Sequence, residues 1–168
     1  MTLPRFGLRR LFLLTLACAC CAAFTTWVIA ARKHARQQAG LGIQSKVEHW
    51  PYVLRNLLKD APSLGTGVTP CGLTAGFDQS SIWRVNSDAP IIDFLKSQQN
   101  LEVTNRSHPK ANYLIKALPV EWPKQNWKSS TWYATPGFGT QHIEVTDLYL
   151  MAIDSDTGDA IVYHENHF

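Results

Sequence analysis

The sequence predicts an α+β protein, in which an N-terminal transmembrane helix is followed by a small antiparallel sheet packed with two or three helices and ending in a β-hairpin. Three observations carry this expectation. Leu11–Ala31 is a run of 21 residues with no charge and no proline. Apolar residues recur at helical spacing at 53–58, 91–95 and 114–118, bounded by proline or asparagine. Two apolar runs, LYLMAI (148–153) and AIVYH (160–164), flank the turn-rich DSDTGD (154–159).

The first run is matched to a bilayer. At about 1.5 Å per residue it spans roughly 31 Å, the thickness of a hydrocarbon core. Arg9-Arg10 precede it, Arg32, Lys33 and Arg36 follow it, and Trp27 falls where interfacial aromatics sit. Two rival readings use the same residues. Ala17-Cys18-Ala19 could be a signal-peptide cleavage site, but the apolar run continues a dozen residues beyond it. Cys20 could carry a lipid, but Ala17 stands three positions before it, where lipoprotein signals have leucine. We therefore expect an uncleaved span. Residues 1–10 are then a basic tail, 11–31 the membrane helix, 32–43 a juxtamembrane helix and linker, and 44–168 a single α+β domain.

Both flanks are basic, so orientation rests on the short tail, which normally stays in the cytoplasm. The expected location is the cell membrane, single-pass, with the C-terminal domain on the extracytoplasmic side. Splitting the charge supports a bilayer partner. The chain carries +3 overall, yet residues 1–36 hold six Lys/Arg and no acid. The remainder holds ten basic against thirteen acidic residues, a net of −3. The basic excess therefore belongs to the membrane flanks. An acidic domain does not suit nucleic acid as a partner. Cys18, Cys20 and Cys21 lie in the span, and Cys71 alone lies beyond it, so no disulfide within the domain is expected.

The block RFGLRRLFLLTLACACCAAFTTWVIAARKHARQQ resembles the N-terminal anchors of uncharacterised planctomycete single-pass membrane proteins. It shares their basic-aromatic start, Leu-Arg step, apolar span and trailing basic helix. The resemblance covers about 35 of 168 residues. It implies a bacterial envelope protein, and it supplies no activity and no site residue for the domain.

Beyond the anchor, 44–60 reads as one helix or as two short ones meeting at Pro51. Residues 62–76 are rich in Gly, Thr and Pro and read as loop with at most one short strand. Residues 81–86 form a strand, and Pro90 opens a helix that Asn100 stops. Residues 101–103 form a short strand, and 107–118 hold a second helix closed by Pro119. A polar loop carrying Trp122 and Trp127 leads into a strand at Thr131–Thr135, then Pro136-Gly137 chemistry turns the chain. Ile143 and Val145 alternate with polar residues, as in a half-exposed strand.

Several candidate chemistries fail on spacing. Gly65 and Gly67 begin a GxGxxG pattern, but its third glycine position is Pro70 and no GK[ST] follows. Asp154, Asp156, Gly158 and Asp159 suggest a calcium loop with Glu165 at its twelfth position, but the glycine comes one position early. His164 and His167 are three apart on a strand and so face opposite sides. His108 and His142 have no partner nearby in sequence, and no GxSxG elbow is present. No catalytic residue, cofactor or metal ligand is assigned. The aromatic cluster Trp122, Trp127, Trp132 and Tyr133 is the candidate surface for a glycan or protein partner. The expected role is a membrane-anchored envelope protein whose domain is a binding or structural module. The alternatives are a membrane-tethered, hydrolase-like enzyme whose site only the fold assembles, drawing on His108, His142, Asp147 and Cys71, and a cytoplasm-facing interaction module.

Overall fold

The computed structural model describes residues 7–39, 41–74, 79–139 and 147–166. The chain divides into two compact units, residues 1–36 and 37–168.

The first unit is almost entirely α1, Leu8–Gln38. Its sequence is apolar around the whole circumference between Phe12 and Ala31. Residues Phe12–Arg36 form a 25-residue segment apolar enough to cross a membrane, none of it buried by protein. Phe12, Leu13, Leu14, Leu16, Phe24, Trp27 and Ile29 are all more than half exposed. Thr15, Thr25 and Thr26 return their hydroxyls to the carbonyls of Phe12, Ala22 and Ala23, so these polar atoms are satisfied within the helix.

The second unit is built on a seven-stranded antiparallel sheet: β1 Gly42–Ile43, β2 Val68–Gly72, β3 Ser80–Val85, β4 Glu102–Thr104, β5 Thr131–Ala134, β6 Asp147–Ile153 and β7 Ala160–Asn166. The order across the sheet is β1-β2-β3-β7-β6-β5-β4. The terminal hairpin β6–β7 is therefore central, which is why its runs are apolar on both faces. Its turn fixes Ile153 opposite Ala160, and the register then runs to Asp147 opposite Asn166.

Three helices cover the sheet, α2 Tyr52–Asp60 and α3 Ile91–Gln98 on one face and α4 Ala111–Ala117 on the other. The alternation along β6 sorts its residues between two cores. Tyr149 and Met151 join Trp83, Val85, Val162, Leu54, Ile91 and Leu95 under α2 and α3. Leu148, Leu150 and Ala152 join Ile82, Trp132, Ile161, Tyr163, Leu114 and Phe138 under α4. One sheet with helices on both sides is thus a three-layer arrangement.

Local chemistry explains most boundaries. The 44–60 segment is two pieces, a 3-10 turn at Val47–His49 and then α2, with Pro51 at the N-cap where its missing N–H costs nothing. Asn100 ends α3 in the left-handed conformation, φ 48°. The expected 62–76 loop holds a 3-10 turn, Pro62–Gly65, and then a true strand, β2, that carries Pro70. Gln44 N–H donates to the Pro70 carbonyl at 2.9 Å, so Pro70 turns its lacking N–H toward the short β1 edge and away from β3. Gly42 and Ile43, expected in the linker, already belong to the sheet. Ile143 and Val145 lie outside the described residues.

Gly158 has a specific role. Its φ is +76°, and a Cβ there would lie 2.8 Å from Ser87 Cβ. The close approach arises because Asp159 holds the loop after β3: its Oδ1 accepts the Ser87 N–H at 3.1 Å and its Oδ2 pairs with Arg84 at 3.4 Å. Gly158→Ala is expected to cost about 1–3 kcal/mol, from left-handed strain plus the clash, measured by urea denaturation. A variant as stable as the parent would show that this turn is not held against Ser87.

Candidate functional site

The four aromatics singled out in sequence do not share one surface. Trp132 and Tyr133 are neighbours on β5 and so point to opposite faces. Trp132 is only 2% exposed and belongs to the core under α4. Tyr133 packs on the α2–α3 side, with Lys96 Nζ 4.9 Å from its ring centre. Trp122 and Trp127, both half-buried, pack against the α4-side core, and the Trp127 and Trp132 rings lie 5.6 Å apart. Trp127 and Trp132 line an open cleft of about 500 Å3 together with Thr104, Asn105, Arg106, Lys128, Ser130 and Thr131. Trp132 Nε1 is buried without a hydrogen-bond partner. The cleft thus offers an aromatic wall, several hydroxyls and an amide, and two cations.

A second cavity, of about 390 Å3, lies between α2, α3 and the end of β6–β7. Tyr52, Val53, Asn56, Leu57 and Asp60 reach it from α2, Phe94 and Gln99 from α3 and its C-cap, and Asp147, Tyr149 and Asn166 from the sheet. Its sheet wall is a polar cluster made by period-two alternation. Asp147 and Tyr149 on β6 stand opposite Asn166 and His164 on β7. Asp147 Oδ1 receives His164 Nε2 at 3.0 Å and Asn166 Nδ2 at 2.8 Å. The bond from His164, then that from Asn166, holds the Asp147 carboxyl below its ordinary value against the opposing pull of burial. An ionised carboxylate only accepts, so His164 carries its proton on Nε2. His164 is 2% exposed and packs against both Trp83 and Tyr149, with ring centres 5.6 and 5.0 Å away. Burial raises the Tyr149 phenol far above its usual range, so it stays protonated.

Ser81 stands opposite His164 across β3–β7, which gives a serine, a histidine and an aspartate in neighbouring positions. The chemistry does not follow. Ser81 is buried and its Oγ accepts the Trp83 Nε1–H at 2.8 Å. Neither hydroxyl nor imidazole reaches solvent, so the row serves to orient Asp147. No sequence motif marks it, but pairing the hairpin in register from its turn brings 147 to 166 and 149 to 164.

The other sequence candidates separate. His108 precedes α4, lies 5.7 Å from the Phe138 ring and accepts the Lys110 N–H at 3.2 Å on Nδ1. Burial lowers its imidazole below the ordinary value. Cys71 is buried in β2 on the same face as Ile82, the α4 side, whereas Asp147 faces α2. His142 and His167 lie outside the described residues. Among the described residues no three His, Cys, Asp or Glu side chains are grouped to hold a metal. Gly67, φ +73°, leads directly into β2, so the glycine pair at 65 and 67 opens no helix that could hold a phosphate.

The aspartates of the 154–159 turn have structural partners. Asp154 Oδ1 accepts the Asp156 N–H at 2.9 Å, and Oδ2 accepts the Asn126 N–H at 3.1 Å, tying the 119–130 loop to the hairpin. These backbone bonds, that from Asp156 first, hold the Asp154 carboxyl below its ordinary value. A lowered folded value stabilises the fold above the unfolded-state value and loses that contribution as pH falls. The stability lead of the parent over Asp154→Asn is therefore expected to be constant at neutral pH and to shrink as the pH falls through and below about 4, the ordinary carboxylate value. Chemical denaturation across that range reads it out, and a lead that persists at the acid end would refute the assignment.

Comparison of the chain with protein-family models, with curated proteins and with solved structures finds no match.

Proposed function

We propose that this is a single-pass membrane-anchored envelope protein whose C-terminal domain is an extracytoplasmic binding module. The observation that carries the reading is the Phe12–Arg36 segment, 25 residues long, apolar on all sides as far as Ala31 and with none of its apolar stretch buried in the protein. A helix apolar all round needs an apolar surrounding, and a bilayer supplies one. The domain beyond it has its own two cores and does not need the helix to bury them. The arginines of the short N-terminal tail favour its retention in the cytoplasm, and so an outward domain.

A fusion of alkaline phosphatase after Phe168 tests the orientation. Activity in intact cells is the expected outcome. Fluorescence from a cytoplasm-only reporter at the same junction would instead place the domain inside.

For the ligand surface, the cleft of Trp127 and Trp132 supports a carbohydrate bearing acidic groups. Arg106 and Lys128 would meet the acids, and the hydroxyl and amide lining would meet the sugar. Trp127→Ala, a half-buried position, is expected to weaken binding of an acidic oligosaccharide by about tenfold, the loss of roughly 1.4 kcal/mol of ring contact. Calorimetric titration of the full chain reads it. Unchanged affinity, or none in the parent, would remove the cleft from the proposal.

A further inference from the structure

We propose that the cavity between α2 and the end of the β6–β7 hairpin binds a small primary alkylammonium ion. It is a separate site from the tryptophan cleft, on the opposite face of the sheet, and neither proposal depends on the other.

Charge comes first. Among the described residues, Asp60 and Asp147 are the charged side chains lining the cavity, and no lysine or arginine joins them. Both bonds to Asp147 fall on Oδ1, which leaves Oδ2 without a partner among the described residues. The low-lying carboxyl of Asp147 stays charged at neutral pH.

Hydrogen-bonding capacity comes second, and it is independent of the acids. Asn166 lines the same cavity and is 8% exposed, yet its Oδ1 is buried with no partner. A flipped amide would not relieve this, because it would turn oxygen toward the Asp147 carboxylate. A buried acceptor without a donor is costly, so the sheet wall is short of a donor at Asn166 Oδ1. An ammonium carries three donors and no acceptor, and it matches that deficit.

The aromatic lining comes third. Tyr52, Phe94 and Tyr149, from three different elements, also line the cavity, and an aromatic ring is a favourable neighbour for a cation. A volume of about 390 Å3 suits a short alkyl chain. A hard metal ion suits it less, since such ions take six or more oxygen ligands.

The test uses the full chain in uncharged maltoside micelles, titrated with n-butylammonium chloride and followed by side-chain amide NMR. Saturable shifts of the Asn56, Gln99 and Asn166 amides are expected. Butan-1-ol, which has the same chain without charge, and tetramethylammonium, which has charge without N–H donors, should each bind at least tenfold more weakly. Asp147→Asn should weaken butylammonium at least tenfold and Asp60→Asn about threefold, while the remote Asp88→Asn should match the parent. Near-UV circular dichroism checks each fold, and if Asp147→Asn unfolds, Asp60→Asn alone decides. Equal binding of the alcohol or of tetramethylammonium, unchanged affinity in Asp60→Asn, or no saturable shift in the parent would each overturn the proposal.

Discussion

Trp83→Ala is expected to destabilise the domain by about 3–5 kcal/mol, the range for deleting a buried tryptophan. The side chain is wholly buried at the centre of the α2–α3 core. It meets Tyr149 edge-on at 5.8 Å and stacks on His164 at 5.6 Å, and its Nε1 supplies the donor to Ser81. Alanine removes all three contacts, leaves the Ser81 hydroxyl without that donor, and opens a cavity beside the imidazole that holds Asp147. A domain of this size has about 5–15 kcal/mol in total, so the loss is a large share. The melting temperature should fall by roughly 10–20 °C in a calorimetric scan. Trp83→Phe separates the contributions. It keeps an aromatic body and loses only part of the volume and the N–H, so about 1–2 kcal/mol is expected. A Trp83→Ala variant melting within a few degrees of the parent would mean that this core does not hold the sheet together.

The same residue shows where sequence reading works and where it stops. The strand at 81–86 was legible because Ile82, Trp83 and Val85 are β-formers bounded by polar residues. The terminal hairpin was legible for the same reason, and because Gly158 marks a turn that needs positive φ. The seven-strand order was not legible. Placing β7 between β3 and β6 depends on contacts between residues about eighty positions apart, and no local pattern encodes them. β2 was hidden by its glycine, threonine and proline content, since a proline at a strand edge looks like loop chemistry until the partner strand is known.

The candidate sites divide the same way. Four aromatics close in sequence suggested one surface, but β5 alternation sends Tyr133 to the face opposite Trp132. Trp132, the strongest aromatic of the group by size and position, is core. The cavity under α2 drew no attention from sequence, because Asp60, Phe94, Asp147 and Asn166 come from four elements. What could have found its floor is the hairpin register alone, which sets two acceptor-bearing residues, Asp147 and Asn166, side by side.

The proposed anchor carries the other large expected effect. Cys21→Arg combined with Thr25→Arg should move the chain from the carbonate-resistant membrane fraction to the soluble or aggregated one. The two positions are one helical turn apart near the middle of α1, on one face, so neither arginine can pair with the other or reach an interface easily. Each arginine near a span centre costs about 2.5–3.5 kcal/mol on the insertion scale, so the pair costs about 5–7. Against this stand eight strongly apolar residues in the span, Leu11, Phe12, Leu13, Leu14, Leu16, Phe24, Val28 and Ile29, which contribute about 2–5 kcal/mol together on the same scale. The balance reverses, whereas one arginine alone would leave it close to even. Cys21→Leu with Thr25→Leu is the matching control and should stay in the membrane. Cys20→Ser separates the helix from a lipid as the source of attachment. If the helix is the anchor, Cys20→Ser remains membrane-bound and the double arginine variant does not. The reverse pattern would make the lipid the anchor and reduce α1 to its carrier sequence.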